Sequence, residues 1–282
     1  MRRFEVIHGR VEDILPSMTP MTFDGVLCDP PYALSSQRWD DPGRQREYKA
    51  RSEAGYGNKG RMKGYGRGGN PQDRVAFRSR TNTAFHVWTV EWAAMLLRVV
   101  KPGAWLFAFG SPRTVHRLTA GIEDAGWEVR DSIAWEHGHG VPKSRTTELR
   151  PTYEPIVLAR RPLTESTVPL NVVCWGVGDL RTEGTSHPEN VVRHPKPTKA
   201  ERSDSGHPTP KPILLCSALA KLILPSSGVG RLLVPFAGSG SEMLGALGAG
   251  WDDVVGVEQS DAYVLTARRR LGALTRTQQA AE

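Results

Sequence analysis

Apolar residues recur along this chain in short strand-like runs separated by stretches of helical spacing. Phe4 to His8 alternates as a strand does, and Val11 to Met18 has the spacing of a short helix. Phe23 to Cys28 is a short apolar run that reads as a buried strand. After a long interruption, Val87 to Val100 puts Trp88, Trp92, Leu96 and Leu97 on one stripe, which predicts a helix packed on a core. Lys101-Pro102-Gly103 predicts where that helix stops. Ala104 to Gly110 predicts an apolar strand, Pro112 to Gly126 a helix and Val129 to Trp135 another strand. From about Gly138 to Gly206 the pattern degrades into prolines, glycines and polar residues, with one strand at Pro155 to Ala159. Alternation returns with an amphipathic helix over Ile213 to Leu224, for which Thr209 is the candidate cap. A strand at Arg231 to Val234, a glycine loop over Pro235 to Gly240 and a helix over Ser241 to Leu247 follow. The last elements are a strand at Asp253 to Val257 and a helix over Ala262 to Leu274. Strands alternating with helices predict an α/β fold with a doubly wound, mostly parallel sheet.

Two element boundaries carry candidate chemistry. Asp29-Pro30-Pro31-Tyr32 leaves the end of the predicted second strand, the edge at which α/β sheets bind ligands. Proline lacks an N–H, so its carbonyl can face a ligand with no donor beside it. Tyr32 offers a stacking face and Asp29 a proton acceptor, a set suited to holding a flipped nucleobase and activating its amino group. The same tetrapeptide also makes a good turn, because proline fixes φ and excludes helix before it.

The second boundary is Pro235-Phe236-Ala237-Gly238-Ser239-Gly240, between a strand and a helix. Glycines there allow a tight turn, with helix N–H groups facing a ligand. Glu258 ends the next predicted strand, where an acid can bind ribose hydroxyls. No third glycine follows at dinucleotide spacing, so a nucleoside without pyrophosphate fits best, and S-adenosylmethionine is the common one. An ordinary strand-to-helix turn would look the same locally.

Charge adds a partner to this picture. The net charge is +7 over 282 residues, but the stretch from Arg44 to Arg80 alone carries +8 and the remainder −1. That stretch is glycine-rich, carries Tyr48, Tyr56 and Tyr65, and has no apolar periodicity. It reads as a solvated insertion over about 41–82, unable to fold alone. Its basic groups, Arg44, Arg46, Lys49, Arg51, Lys59, Arg61, Lys63 and Arg67, suit phosphates and unstacked bases. Cys28, Cys174 and Cys216 form neither a disulfide framework nor a metal pattern. His137, His139, His187 and His194 lack ligand partners at metal spacing. No apolar run of membrane-spanning length and no signal-peptide core is present, so the expected setting is a reducing cytoplasm.

Together these residues resemble the amino-methylating DNA methyltransferases. Asp29 to Tyr32 is similar to their catalytic motif, Phe236 to Gly240 to their cofactor loop, and Glu258 to their ribose-binding acid. His207-Pro208-Thr209-Pro210-Lys211-Pro212 resembles the segment that closes over the cofactor's methionine end. Lys101-Pro102-Gly103 with its strand, and Asp131 to Trp135, resemble the middle motifs. The resemblance covers most of the chain apart from the basic insertion and the variable region, and is closest to small methylases of phage and prophage type.

The resemblance implies a Rossmann-like, S-adenosylmethionine-dependent fold with an inserted target-recognition region. It assigns a catalytic half to 1–143, target recognition to 144–206 and a cofactor half to 207–282. Catalytic motif before cofactor loop implies the permuted β group, and Asp29 rather than serine implies adenine N6 as target. Asp29, His207, Thr209, Lys211, Pro235 to Gly240 and Glu258 would then hold cofactor. Tyr32 would stack on one face of the base; Trp135 would supply the other face or serve as a core aromatic at its strand end. Duplex DNA is the implied partner, and a separate endonuclease or a homodimer is compatible. Val234, Pro210 and Ser241-Glu242 depart from the family pattern and lower the expected affinity for cofactor, leaving the groups needed for chemistry in place. A cytosine-N4 methylase, an RNA or protein-factor methylase and an inactive nucleic-acid binder are the competing readings.

Overall fold

The computed structural model describes residues 2–34, 71–138, 140, 149–182 and 187–279, with 71–81 and 275–279 described by backbone alone. The first half supplies β1 (Arg3–His8), α1 (Val11–Ile14), a 3-10 turn (Leu15–Ser17) and β2 (Phe23–Cys28). It continues with α2 (Pro71–Val99), β3 (Val100–Phe109), α3 (Val115–Asp124) and β4 (Glu128–Glu136). Next come β5 (Tyr153–Arg160), α4 (Val168–Trp175), β6 (Val191–Arg193) and α5 (Lys199–Ser205). The chain closes with α6 (Ile213–Leu222), β7 (Arg231–Pro235), α7 (Ser241–Ala249), β8 (Asp253–Glu258) and α8 (Asp261–Gln279).

Among the described residues the strands form one sheet in the order β1-β8-β7-β2-β3-β5-β4-β6. All neighbouring pairs are parallel except those of β5, which runs antiparallel to β3 and β4. Side chains on β2 and β3 alternate between two cores. Leu27, Phe107 and Phe109 pack on one face with Leu215 and Leu219 of α6, Met243 of α7 and Leu271 of α8. Val26, Cys28, Leu106 and Ala108 pack on the other with Trp88, Trp92, Leu96 and Leu118. Strands covered on both faces have no polar side to show, which is why β2 reads as an apolar run. Trp92 is fully buried, so truncating it to alanine removes about 3–5 kcal/mol.

The α/β, mostly parallel architecture is as expected, but several boundaries differ. α2 begins at Pro71, so residues 71–82 of the expected insertion are helical. Proline suits a first turn, and the polar residues after it form helix without an apolar stripe to reveal it. α2 stops at Val99, next to the expected stop at Lys101-Pro102-Gly103, but those three residues themselves lie inside β3. Gly103 takes φ +84, and the β2–β3 register shifts between Phe23 and Gly25. Thr209 does not cap α6. Pro212 holds the cap position, and the Glu201 carboxylate accepts from Ile213 N at 3.1 Å. Within 144–206, β5 is sheet core between β3 and β4, because Ile156 to Ala159 are buried on both faces.

Candidate active site

Sheet order joins the two motifs. From β2 the chain moves to β3 on one side, and from β7 to β8 on the other. The order therefore reverses between β7 and β2, the point where open α/β sheets form a ligand crevice. Asp29 follows β2, Phe236 follows β7 and Glu258 ends β8, all at carboxyl ends of parallel neighbours. Because β5 is antiparallel, its first residues reach the same edge, where Glu154 pairs with Trp135 of β4. A cavity of about 490 Å³ opens there, lined by both motifs and by His207 to Lys211. That volume suits a nucleoside-sized ligand.

One wall of the cavity is a chain of charges. Lys211 is 5% exposed, and its Nζ donates to Asp29 Oδ2 at 2.5 Å and stands 3.8 Å from Glu154 Oε2. Lys196 donates to the other oxygen of Glu154. Burial alone would lower the pKa of Lys211, but Asp29 and Glu154 outweigh it and hold the ammonium above the ordinary lysine value. Burial likewise opposes ionisation of Glu154, and Lys211 and Lys196 overcome it, keeping that carboxyl below the usual range. The Lys211 ammonium also lies 5.2 Å from the Tyr32 ring centre and 5.0 Å from that of Phe109. Burial, then Asp29 and Glu154, push the Tyr32 phenol well above its usual pKa, so it stays neutral. Asp29 Oδ1 is buried, and the Tyr32 phenol lies within hydrogen-bonding reach of the Asp29 carboxylate. Thr114 Oγ1 anchors the motif by donating to Tyr32 O at 3.0 Å, and Ala33 beyond it takes φ +56.

The opposite wall is satisfied by backbone. Gly238 N and Ser260 N each donate to one oxygen of Glu258 at 2.8 Å. Burial raises the Glu258 carboxyl, and these backbone donors oppose the rise. Phe236 holds φ +64, a backbone cost of about 1–3 kcal/mol, with its ring wedged 5.4 Å from Trp88 and 5.6 Å from Trp92. Gly238 and Gly240 take φ +51 and +82, which permits the turn into α7. Ala237 and Pro235 are buried beneath it. Arg270 of α8, itself buried, donates to Ser239 O at 2.7 Å and to Asp204 at 2.8 Å, tying the loop to α5. His207 accepts from Thr209 N at 3.2 Å and lies 4.6 Å from the Tyr263 ring. Burial lowers its pKa, so the ring is neutral at pH 7.

The fold thus brings Asp29, Pro30, Pro31, Tyr32, His207, Thr209, Lys211, Phe236, Ala237, Gly238, Ser239 and Glu258 to one cavity. Trp135 lines it too, but its ring is 1% exposed, bonds His194 O through Nε1 and has Lys196 at 4.8 Å over its face. That packing makes it a wall in this arrangement, with no free stacking face. Arg44, Arg46, Lys49, Arg51, Lys59, Arg61, Lys63 and Arg67 lie outside the described residues, as does His139. Sequence reading missed Glu154, Lys196 and Arg270. Glu154 had a signal, an acid at the mouth of an otherwise apolar strand. No group of three or more metal-ligand side chains occurs among the described residues, and none of their helices is long and apolar enough to cross a membrane.

Comparison with solved structures gives the same fold at low identity. The crystal structure of the M1.HpyAVI-SAM complex overlaps with a TM-score of 0.61 at 16% identity, covering 95% of this chain and 99% of that one. PvuII DNA methyltransferase, cytosine-N4-specific, gives 0.62 at 13% identity, over 95% and 86%. A putative DNA modification methylase from Thermus thermophilus, complexed with S-adenosyl-L-methionine, gives 0.51 at 18% identity, over 95% and 94%. Comparison with curated protein sequences gives no match. The family model described as DNA methylase matches residues 23–269, from the strand that delivers Asp29 to the helix that braces the glycine loop. By that match the chain belongs to the N6/N4 DNA methylase family.

Proposed function

We propose that this protein is a permuted, β-group DNA methyltransferase that methylates the exocyclic N6 of a flipped adenine at a specific site in duplex DNA. The observation that carries this reading is the Asp29–Lys211 ion pair, set beside Tyr32 in the same cavity as Glu258 and the glycine loop. The cofactor is S-adenosylmethionine, and the residues present fit it. Each oxygen of Glu258 accepts one backbone N–H, which leaves lone pairs for ribose hydroxyls. Gly238 and Ser239 bring backbone to the cavity wall, where they would let a nucleoside approach closely. When bound, S-adenosylmethionine supplies a methyl group already activated on a sulfonium.

The adenine amine is a weak nucleophile because its lone pair is delocalised into the ring. Extruding the base costs roughly a few kcal/mol. Stacking on Tyr32 returns about 1–3 kcal/mol. Lys211 fixes Oδ2 of Asp29, so Oδ1 is left to accept one amine hydrogen while the Pro30 carbonyl accepts the other. Both contacts would turn the nitrogen towards tetrahedral geometry and free its lone pair for the methyl group that the cofactor would supply. Alignment of that kind supplies much of the acceleration. The amine proton leaves through Asp29 or water.

Cytosine N4 is the second reading, since the fold overlaps that of the cytosine-N4-specific PvuII enzyme. Expression in a methylation-free host, then nucleoside analysis and genome-wide mapping, separates the two. N6-methyladenine at a recurring motif is expected, and N4-methylcytosine would transfer the reading to cytosine. The basic stretch 44–80 is proposed to grip phosphate through its +8 charge. Its deletion is expected to flatten the salt dependence of DNA affinity.

A further inference from the structure

Glu242 is the second residue of α7, and its side chain lines the cavity between the two motifs. It is only 5% exposed. Its carboxyl takes a hydrogen bond from its own backbone amide, and Lys211 and Arg270 act on it through their charge. The charged groups facing it are Asp29 after β2, Lys211 before α6 and Arg270 from α8, with the thiols of Cys28 and Cys216 nearby. Both cations are already engaged. Lys211 serves Asp29 and Glu154, and Arg270 serves Asp204 and Ser239. An ionised Glu242 therefore has no cation of its own, and Asp29 adds like charge. The first-turn amides of α7 offset only part of that cost. A carboxyl so placed keeps its proton or awaits a cation.

The proposed cofactor is such a cation, because its methionine end carries a sulfonium and an α-ammonium. Resting on that cofactor reading, we infer that Glu242 is a cofactor-recognition residue, whose carboxylate pairs with the positive charge of the methionine end. Burial first, and Asp29 second, raise its carboxyl to about 7 in the free protein, against an opposing pull from Lys211. Arrival of the cation lowers that value, and the proton passes to solvent. Binding thus releases a proton, so cofactor affinity rises with pH up to about 7. His207 also faces the cavity, but burial lowers its pKa, so it titrates at more acidic pH.

Calorimetry of wild type and E242Q, in two buffers of different ionisation enthalpy, reads this directly. With S-adenosylmethionine, wild type is expected to release about half a proton at pH 7 and nearly one at pH 6. E242Q is expected to release none across that window and to bind S-adenosylmethionine at least about tenfold more weakly at pH 8. Methylthioadenosine, which lacks both charges, should bind the two proteins alike. S-adenosylhomocysteine lacks only the sulfonium. If it shares the loss, the ammonium is the partner, and if it is spared, the sulfonium is. Thermal unfolding above pH 7 controls for folding, since E242Q removes an uncompensated buried charge and should melt no lower than wild type. Equal proton release from the two proteins, or equal affinity for S-adenosylmethionine, overturns the assignment. Failure of wild type to bind S-adenosylmethionine at any pH overturns the cofactor reading and this inference with it.

Discussion

The two walls of the cavity are built on opposite principles. On the β7–β8 side, Glu258 is held by backbone amides and the loop is braced from behind by Arg270. On the β2–β5 side, Asp29, Lys211, Glu154 and Lys196 alternate in sign, and each depends on its neighbours. Backbone donors stay in place when one side chain is removed. Buried charges do not tolerate such loss, because an unpaired ion keeps its full desolvation cost. The difference teaches that the cofactor wall can lose a group and forfeit affinity alone, whereas the charged wall loses chemistry or fold.

The largest expected effect lies in the charged wall. Asp29→Asn keeps the shape of the side chain and removes its charge. Methyl transfer should fall by about 100- to 10,000-fold, while calorimetric affinity for S-adenosylmethionine stays within a few-fold. Wild-type turnover in this variant would remove Asp29 from the chemistry. Lys211→Met comes next. It strands Asp29 as a buried carboxylate, leaves Glu154 to Lys196 alone, and should cost about 3–5 kcal/mol of stability in chemical denaturation. Glu258→Ala, on the other wall, should leave the melting temperature nearly unchanged and weaken cofactor binding by about 10–100-fold. Should Glu258→Ala destabilise the protein as much as Lys211→Met, the walls would not differ in kind.

The same contrast explains what could be read from the chain alone. Asp29, Phe236 to Gly240 and Glu258 sit at strand ends, and each strand is a compact apolar run that betrays its boundary. The alternation of strands and helices was likewise visible, because both faces of the sheet are covered. What stayed hidden depends on pairings distant in sequence. Lys211 meets Asp29 across 182 positions, and Glu154 arrives only because β5 inserts antiparallel between β3 and β4. No local periodicity carries that information. Residues 71–82 of α2 escaped for another reason, their sequence being helical without apolar periodicity. Trp135 read as a stacking ring because its position at a strand end was visible and its cover, Lys196, was not.

Lys196 offers the smallest expected effect and the sharpest division within the charged wall. Its side chain is 37% exposed, so water screens its pairing with Glu154, and Lys211 remains to balance that carboxylate. Lys196→Ala should therefore cost under about 1 kcal/mol of stability. Turnover should stay within a few-fold of wild type, because Lys211 still fixes Asp29. A loss comparable to that of Lys211→Met would instead make the four charges one indivisible unit. The variant also uncovers the Trp135 ring. If that ring can serve as a second stacking face, Lys196→Ala should lower KM for DNA with kcat little changed, and Trp135→Leu should abolish the gain. An unchanged KM would leave Trp135 as packing against Phe109, and Tyr32 as the base's sole aromatic partner among the described residues.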